Sequence, residues 1–326
     1  MQQPLVSIII PVYNSAKFLA AAVSAVQRQT YDNTEIIIID DASTDNTYEL
    51  AKTYESETCI VLRQNKAGAA TARNLGLKNA TGKYVQFLDV DDFLSEEKIE
   101  QQVKALDNQE SKVAVCYYIE FFNEEELCLG NTSVDQSDFI YSSDSPADFL
   151  INLYGGNGKP NFIQTNSWLV PKALIEKVGG WRNYIWLDDD GEFFARVVLA
   201  SSGVVYVPGV YNYYRRSTSE SNLSNSTNKK YIQNALLSID LKYEYLKQST
   251  CGGNMNKAIA TQYLHFAVYT YPKYKLISRM AYRRYKSIGA TVAPPKLGGK
   301  CVEFTKYAFG WKIARLIRYY LRERST

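Results

Sequence analysis

The sequence predicts an α/β protein with a mainly parallel sheet flanked by helices, followed by a helical extension at the C-terminus. In the first hundred residues, short apolar runs alternate with stretches of helical spacing, which is typical of parallel strands buried on both faces. Polar residues follow these runs directly, as expected where strands end at a ligand site. Beyond residue 228 the chain reads as helices.

The predicted elements of the first hundred residues form a regular alternation. We expect buried strands at Val6–Ile10, Glu35–Asp40, Cys59–Arg63 and Lys83–Leu88. We expect helices at Ala16–Gln29, from Asn46 (spaced with Glu49 as in a capping box) and at Gly68–Asn79.

The second half is mixed and ends in helices. We expect a strand at Val113–Phe122, helices at Pro146–Leu153, Lys172–Val178 and Gly191–Ala200, and a polar linker at Ser217–Asn228. Further helices are predicted at Lys229–Leu246 and Lys257–Tyr271.

Composition excludes several classes of protein. With 46% hydrophobic and 22% charged residues, the 326-residue chain has globular composition and can bury a sizeable core. The odd, scattered cysteines argue against a disulfide scaffold or a zinc cluster and favour a reducing compartment: Cys59, Cys116, Cys128, Cys251 and Cys301. The apolar runs are too short to cross a bilayer and no signal peptide is visible, so we expect a cytoplasmic protein.

The charge is distributed unevenly. Residues 272–326 contain fourteen Lys or Arg residues and two acids, a balance of +12 that leaves −9 for the rest of a chain with net charge +3. A basic tail on an acidic body indicates an anionic partner, either membrane phospholipid or nucleic acid.

An acidic cluster follows the fourth predicted strand. In Asp89-Val90-Asp91-Asp92, carboxylates crowd at a strand end, and a hard divalent ion such as Mg²⁺ is a natural partner when substrate phosphates complete its shell. The alternative is an Asp-rich turn that caps a helix beginning near Ser95.

The other strand ends carry groups suited to a nucleotide. A buried carboxylate of the pair Asp40-Asp41 could accept N–H groups of a nucleobase, and Tyr13, after Pro11, could stack on one. Arg73, in the small-residue opening of a helix, suits a phosphate or base contact. The alternatives are caps and turns for the acids and a core position for the tyrosine.

These motifs, in this order and spacing, resemble the nucleotide-sugar domain of family 2 glycosyltransferases, which have the GT-A fold. The resemblance covers residues 4 to about 105. It implies that Tyr13 packs on uracil, that Asp41 reads the base edge and that Asp89 lies near the ribose. It also implies that Asp91 binds a divalent metal, Mg²⁺ or Mn²⁺, which bridges the diphosphate.

A second segment is similar to the acceptor side of the same family. Gly179-Gly180-Trp181 precedes an acidic run, Asp188-Asp189-Asp190, that opens a helix. The resemblance implies that Asp190 is the catalytic base, with Asp189 in the place of the neighbouring acid. Because three acids are adjacent, the register can differ by one residue. The same acids also suit a helix N-terminus, and both interpretations can hold together.

The segment Tyr214-Arg215-Arg216 resembles a family segment near the diphosphate. That segment usually continues to a histidine, whereas here Ser217 follows, so Arg215 or Arg216 is expected to supply the positive charge. The single histidine, His265, lies in an apolar helical context and is expected to be structural.

These inferences give one domain division and one function. Residues 1–105 are expected to bind the nucleotide sugar, 106–225 to bind the acceptor, and 226–326 to form a basic helical extension. The resemblance implies a metal-dependent, inverting hexosyltransferase that moves a sugar, expected from UDP, to a hydroxyl of a glycan or lipid-linked acceptor in cell-surface polysaccharide synthesis.

The sequence favours the transferase over two alternative functions. A sugar nucleotidyltransferase would show a Gly- and Arg-rich loop after the first strand, where this chain has Asn14-Ser15-Ala16-Lys17. A nucleic-acid-binding protein would use the basic tail, but the acidic strand ends argue against a phosphate polymer in the main cleft, and no nucleic acid is expected.

The tail itself is amphipathic. Phe309, Ile313, Leu316, Ile317, Tyr320 and Leu321 share one side of a helix predicted over Phe304–Arg324, with Lys and Arg residues close by. We expect peripheral association with an anionic membrane surface, on the inner face of the cell membrane. The alternative is that the apolar side packs on the protein's own core.

Overall fold

The computed structural model describes residues 3–123, 134–216 and 228–323, which belong to two compact units. The first unit comprises residues 1–149 and 163–225, and the second comprises 150–162 and 226–326. Cys128, Ser217 and most of the predicted linker lie outside the described residues. The four described cysteines are free thiols.

The first unit contains one eight-stranded sheet. Its strands are β1 (Val6–Val12), β2 (Thr34–Asp40), β3 (Cys59–Arg63), β4 (Tyr84–Phe87), β5 (Phe93–Leu94), β6 (Lys112–Phe121), β7 (Trp168–Pro171) and β8 (Gly203–Arg215). Their order across the sheet is β3-β2-β1-β4-β7-β6-β8-β5. β1 to β4 are parallel, as is the pair β6–β8, whereas β7 and β5 run antiparallel to their neighbours.

Among the residues that the structure describes, seven α-helices accompany the sheet, in chain order. They are α1 (Ala16–Gln27), α2 (Thr47–Lys52), α3 (Ala69–Asn79), α4 (Lys98–Leu106), α5 (Pro146–Ile151), α6 (Lys172–Val178) and α7 (Asp189–Ala200). The last two residues of α5 belong to the second unit. The predicted α/β class is confirmed, with a sheet that is mixed beyond β4.

Alternate residues of β1 and β2 form the core with the apolar side of α1. Ile8, Ile10 and Ile38 pack with Leu19 and Val23 in one buried cluster. Residues two apart in a strand face the same side, which is why a continuous apolar run can serve helices on both faces. Each such side chain contributes about 1.5–3 kcal/mol by its burial.

Helix α3 approaches the sheet unusually closely at Gly76. A Cβ at this position would lie 2.5 Å from Ile9 Cγ2 and 2.9 Å from Ile39 Cδ1. The missing side chain therefore lets α3 lie directly on β1 and β2. This close approach fixes the start of α3 beside the ends of those two strands.

The second unit is helical. It contains a π-helical turn at Asn152–Gly156 and helices α8 (Lys229–Ser249), α9 (Gly253–Thr270), α10 (Lys275–Ile288), α11 (Lys300–Phe309) and α12 (Trp311–Glu323). The prediction of one continuous tail helix from Phe304 is wrong, because Gly310 adopts φ 83° and separates α11 from α12. Burial lowers the pKa of His265, on α9, to about 4. Among the described helices, none combines the length and the apolar character that a membrane crossing requires.

Replacing Gly76 by alanine should destabilise the first unit. Alanine usually stabilises a helix interior by up to about 1 kcal/mol relative to glycine. Here overpacking against Ile9 and Ile39 should outweigh that gain, and the free energy of unfolding should fall by about 1–2 kcal/mol in urea denaturation. Lys78→Ala, at an exposed position of the same helix, should stay within about 0.5 kcal/mol of the parent. Equal stability of both variants would contradict the close approach.

Candidate functional site

The predicted site residues lie at one edge of the sheet, because β1, β2 and β4 are parallel. Tyr13 follows β1, Asp41 follows β2, and Asp89 and Asp91 follow β4. Ligands of open α/β sheets bind beyond these carboxyl ends. The structure therefore brings together the residues that the four sequence motifs singled out.

Asp41 is bound at the start of α3. Its Oδ1 accepts hydrogen bonds from the Gln64 side chain and the Ala67 backbone N–H, both at 2.7 Å, and its Oδ2 accepts one from Gly68 N–H at 2.9 Å. Three of about four lone-pair sites are therefore used within the protein. The neighbouring Asp40 is buried and pairs with Arg63 at 3.1 Å.

Tyr13 presents part of its ring to solvent. Its side chain is 39% exposed, and the Lys66 ammonium lies 3.9 Å from the ring centroid. Pro11 pairs with Ile39 in the β1–β2 register, and Asn14 adopts a left-handed conformation with φ 47°. The turn thus ends the strand with an aromatic side chain at the site edge.

The Asp89–Asp92 turn is held by its last residue. Asp92 is fully buried and accepts hydrogen bonds from Arg215 N–H at 2.7 Å, Asn166 Nδ2 at 2.8 Å and Gln164 Nε2 at 3.1 Å. Burial, followed by the charge of Asp91, raises the pKa of Asp92 well above its usual value. Asn166 also accepts a hydrogen bond from Asp89 N–H at 3.1 Å. Asp92 thus anchors the turn and leaves Asp89 and Asp91 partly accessible.

The surroundings of Asp91 disfavour a negative charge on its carboxyl group. Burial and then the charge of Asp89 raise its pKa to about 6. Within the described residues, no three His, Cys, Asp or Glu side chains are grouped to hold a metal ion. Mg²⁺ is commonly bound by one or two carboxylates together with substrate phosphates, so the oxygen ligands available at Asp91 fit such an ion.

Arg73 joins two distant parts of the chain. One guanidinium nitrogen donates to Asp89 Oδ1 at 2.8 Å and the other to Asp189 Oδ2 at 3.1 Å, while the side chain is only 7% exposed. Burial opposes its charge, but Asp89 and Asp189 keep the pKa of Arg73 above its usual value. The Asp89–Asp92 turn and the acidic run therefore share one cation.

The segment before the acidic run is fixed to α3 as well. Asn74 Nδ2 donates to the backbone carbonyl of Trp181 at 2.7 Å, and Trp181 N–H donates back to Asn74 Oδ1 at 2.8 Å. The Trp181 ring lies 4.4 Å from the Arg73 guanidinium and stacks on Phe193 of α7, with centroids 4.2 Å apart. Two consecutive residues of α3 thus orient the chain that leads into α7.

The acidic run opens α7, two residues before the predicted start. Asp188 precedes the helix with φ 64°, and Asp189 and Asp190 form its first turn. Burial raises the pKa of Asp190 to about 7, reinforced by the charges of Asp189 and Asp188. Burial also raises the pKa of Asp189, although Arg73 opposes this shift. At neutral pH, Asp190 can therefore accept a proton.

The two arginines at the end of β8 have different surroundings. Arg215 Nε donates to the Asp91 backbone carbonyl at 2.9 Å, and the guanidinium lies 4.6 Å from the Phe121 ring centroid. Arg216 is half exposed and pairs with Glu120 at 3.6 Å. The structure therefore places Arg215 against the Asp89–Asp92 turn and Arg216 at the neighbouring surface.

Sequence reasoning missed the amide residues that hold the turn. Gln164 Oε1 accepts hydrogen bonds from Asn166 N–H at 2.7 Å and from Asn212 Nδ2 at 2.9 Å. The side-chain amides of Gln164 and Asn166 both donate to Asp92. The fully buried Lys98 donates to Gln86 at 2.6 Å and so forms a second buried polar cluster. The only local signal was a polar run, Gln164–Ser167, between apolar residues.

Comparisons with known proteins place the chain in a family. The family model described as Glycosyl transferase family 2 matches residues 7–176. The chain is 31% identical over 223 residues to "Glycosyltransferase GlyG" of Streptococcus pneumoniae, a match that covers 66% of this chain and 72% of that relative. The chain matches about half to three fifths of the length of two further relatives, both uncharacterized glycosyltransferases from Rickettsia.

Solved structures show the same fold. S. aureus TarS in complex with UDP-GlcNAc superposes with a TM-score of 0.70 at 17% identity, covering 98% of this chain and 91% of that chain. The mannosyltransferase PcManGT from Pyrobaculum calidifontis, in complex with GDP-Man and Mn²⁺, gives 0.56 at 16% identity, covering 97% and 87%. The predicted GT-A fold is confirmed.

Replacing Arg73 by methionine should leave the carboxylates of Asp89 and Asp189 without their shared cation. We expect the free energy of unfolding to fall by about 3 kcal/mol. Burial raises the pKa of Asp189 and Arg73 opposes this shift, so without the arginine the pKa of Asp189 rises further and the folded state binds more protons than the unfolded state. The loss should therefore be greater at about pH 8 than at about pH 5, as measured by urea denaturation.

Arg28→Met is the matched control. Arg28 pairs with Glu96 at 3.5 Å, and both side chains are exposed. This variant should stay within about 0.5 kcal/mol of the parent at both pH values. A loss for Arg73→Met that is independent of pH would contradict the electrostatic role of the bridge.

Proposed function

This chain belongs to glycosyl transferase family 2, and we propose that it transfers a sugar, with inversion, from a nucleotide-sugar donor to a hydroxyl group. The observation that carries this proposal is the convergence of three groups at one sheet edge. These are the Tyr13 ring with the Asp41 carboxylate, the carboxylates of Asp89 and Asp91, and the acidic run at the start of α7.

The proposed donor is a UDP-sugar. In this proposal the Tyr13 ring stacks on the base beside Pro11, the remaining lone pair of Asp41 accepts from the base edge, and Asp89 lies near the ribose. Arg73 acts on the donor through its bond to Asp89. Support comes from the solved S. aureus TarS complexes, which contain UDP and UDP-GlcNAc in a related fold.

The proposed cofactor is a divalent ion, Mg²⁺ or Mn²⁺, held by Asp91 and the donor diphosphate. When bound, such an ion neutralises charge on the departing diphosphate. The PcManGT complex, which contains Mn²⁺, supports this assignment. Arg215 orients the Asp91 backbone, and Arg216, half exposed nearby, can reach towards the leaving group.

Asp190 is the proposed base, with Asp189 as its neighbour. The acceptor oxygen forms a bond to the anomeric carbon as the bond from that carbon to the diphosphate oxygen breaks on the opposite face. The hydroxyl proton passes to Asp190, whose raised pKa of about 7 suits a base near neutral pH. Arg73 keeps Asp189 paired, so the proton is directed to Asp190.

The proposed setting is cell-surface polysaccharide synthesis. Residues 1–105 would hold the donor, 106–225 the glycan or lipid-linked acceptor, and 226–326 a basic extension. The hexose specificity and the acceptor follow from the family resemblance. A cytoplasmic protein held at the inner face of the cell membrane is proposed from the +12 balance of residues 272–326.

Donor binding should depend on the metal. UDP should bind at least about tenfold more tightly with Mn²⁺ than with a chelator, because a cation relieves repulsion between the diphosphate and Asp91. Asp91→Asn should remove this difference, as measured by isothermal titration calorimetry.

Glu97→Gln provides the control for that titration, because it removes an exposed carboxylate close in sequence to the turn. It should retain the full effect of Mn²⁺. If the chelator leaves the UDP affinity of the parent protein unchanged, the metal-dependent proposal is wrong.

Turnover should require an ionised Asp190. Asp190→Asn should lower kcat by about 10²-fold or more while UDP binding survives, because the amide keeps the shape and loses the proton acceptor. In the parent protein, kcat/KM should rise with pH through about 7, as the base of the free enzyme loses its proton, and then level off. The measurement is UDP release from the best-binding UDP-sugar, with water or a screened glycan as the acceptor.

Asp188→Asn tests the register of the acidic run. It should keep most of the turnover and the acidic limb of the pH profile. Near-normal turnover of Asp190→Asn would move the role of base to Asp189 or Asp188.

A further inference from the structure

Helix α12 turns its apolar side to solvent. Ile313, Ile317 and Tyr320 are 45%, 44% and 56% exposed. At 3.6 residues per turn these positions share one side of the helix. The alternative raised by the sequence, that this side packs on the protein's own core, is therefore wrong.

The opposite side of α12 packs on other helices of the second unit through small and polar residues. Ala314 is buried, and Arg315 donates from Nε to the Val268 carbonyl at 3.2 Å and from a terminal nitrogen to the Tyr269 carbonyl at 3.1 Å. These carbonyls belong to the last turn of α9, where no intrahelical donor is available. The helix orientation is therefore held by hydrogen bonds that leave the apolar side outside.

Helix α10 presents a cationic outer side. Four exposed basic residues share it: Lys275, Arg279, Arg283 and Lys286. Two exposed apolar residues, Leu276 and Met280, lie among them. The helix contains no Asp or Glu, whereas its inner side carries buried residues such as Ile277 and Ala281. This side therefore has an unbroken positive charge.

The two helices meet at Tyr282. The ammonium groups of Lys286 and Lys312 lie 5.6 Å and 5.3 Å from the Tyr282 ring centroid, and the Trp311 ring lies 5.8 Å from it. One aromatic ring thus carries a cation from each helix. Lys312 flanks the apolar side of α12, so the cations gathered at the Tyr282 ring lie beside that side.

We propose that these two helix sides form a docking face for an anionic phospholipid surface. The docking face consists of Lys275, Leu276, Arg279, Met280, Arg283, Lys286, Lys312, Ile313, Ile317 and Tyr320. The basic groups meet the headgroups, while the isoleucines enter the acyl boundary and Tyr320 lies between water and lipid. The proposal names the surface for the peripheral location suggested above and does not depend on the transfer chemistry.

Charge favours lipid over a second copy of the chain. In a two-fold dimer the same patch meets itself, so five cations would face five cations without a carboxylate from α10 between them. Nucleic acid would satisfy the cations but leave the exposed isoleucines without an apolar partner. An anionic bilayer satisfies both parts of the face.

The test is flotation of the full chain with phosphatidylglycerol–phosphatidylcholine vesicles and with pure phosphatidylcholine vesicles. The protein should float with the anionic vesicles at low ionic strength and lose binding at high ionic strength, since salt screens exposed charges. The double variants Arg279→Gln/Arg283→Gln and Ile313→Ser/Ile317→Ser should each lower vesicle affinity about tenfold or more.

Matched controls separate this face from other changes. Lys78→Gln/Lys104→Gln removes two exposed cations from the first unit and should float like the parent. UDP binding and circular dichroism of every variant report the donor site and folding, so a failed transferase proposal would not affect the result. Absence of flotation by the parent, equal flotation of all variants, or a parent dimer that Ile313→Ser/Ile317→Ser dissociates without changing flotation would overturn the proposal.

Discussion

Compensation of negative charge governs the site edge of the sheet. Parallel strands bring Asp40, Asp41 and the Asp89–Asp92 turn to one edge, and Arg73 links this edge to Asp189. Each strongly bound carboxylate has a distinct partner: Arg63, the backbone N–H groups before α3, Arg73 or the amides around Asp92. Among the described residues, Asp91 and Asp190 form no ion pair. In the proposed function, these two carboxylates are the ones that receive the divalent ion and the acceptor proton.

Helix α3 supports both halves of the site. Its first turn lies beside Asp41, its middle carries Arg73 and Asn74, and Gly76 sets it directly on β1 and β2. A displacement of α3 would therefore move the Asp89–Asp92 turn and the acidic run together. Groups that contact one rigid helix keep their mutual geometry before a ligand arrives, which reduces the reorganisation that binding requires.

The sequence predicted the first half of the fold better than the second, for physical reasons. Continuous apolar runs and short motifs are local signals, and they placed β1 to β4 with their acidic ends. The strand β8 was not predicted, because Pro208 and Gly209 interrupt its apolar pattern. Its pairing with β6 shifts register at the same place. The partnership of Arg73 with Asp189 joins residues 116 positions apart. This ion pair depends on tertiary packing, so the local spacing of residues could not predict it.

The difference between local spacing and tertiary packing also applies to the tail helix α12. The apolar side of α12 was visible from spacing alone, but its direction depends on partners elsewhere. Carbonyl groups at the end of α9 require donors, and Arg315 supplies them only if its own side of the helix faces inward. Ala314 is small enough to permit this approach. Satisfying the carbonyl groups at the end of α9 thus sets the orientation of α12, and the exposed apolar side follows from it.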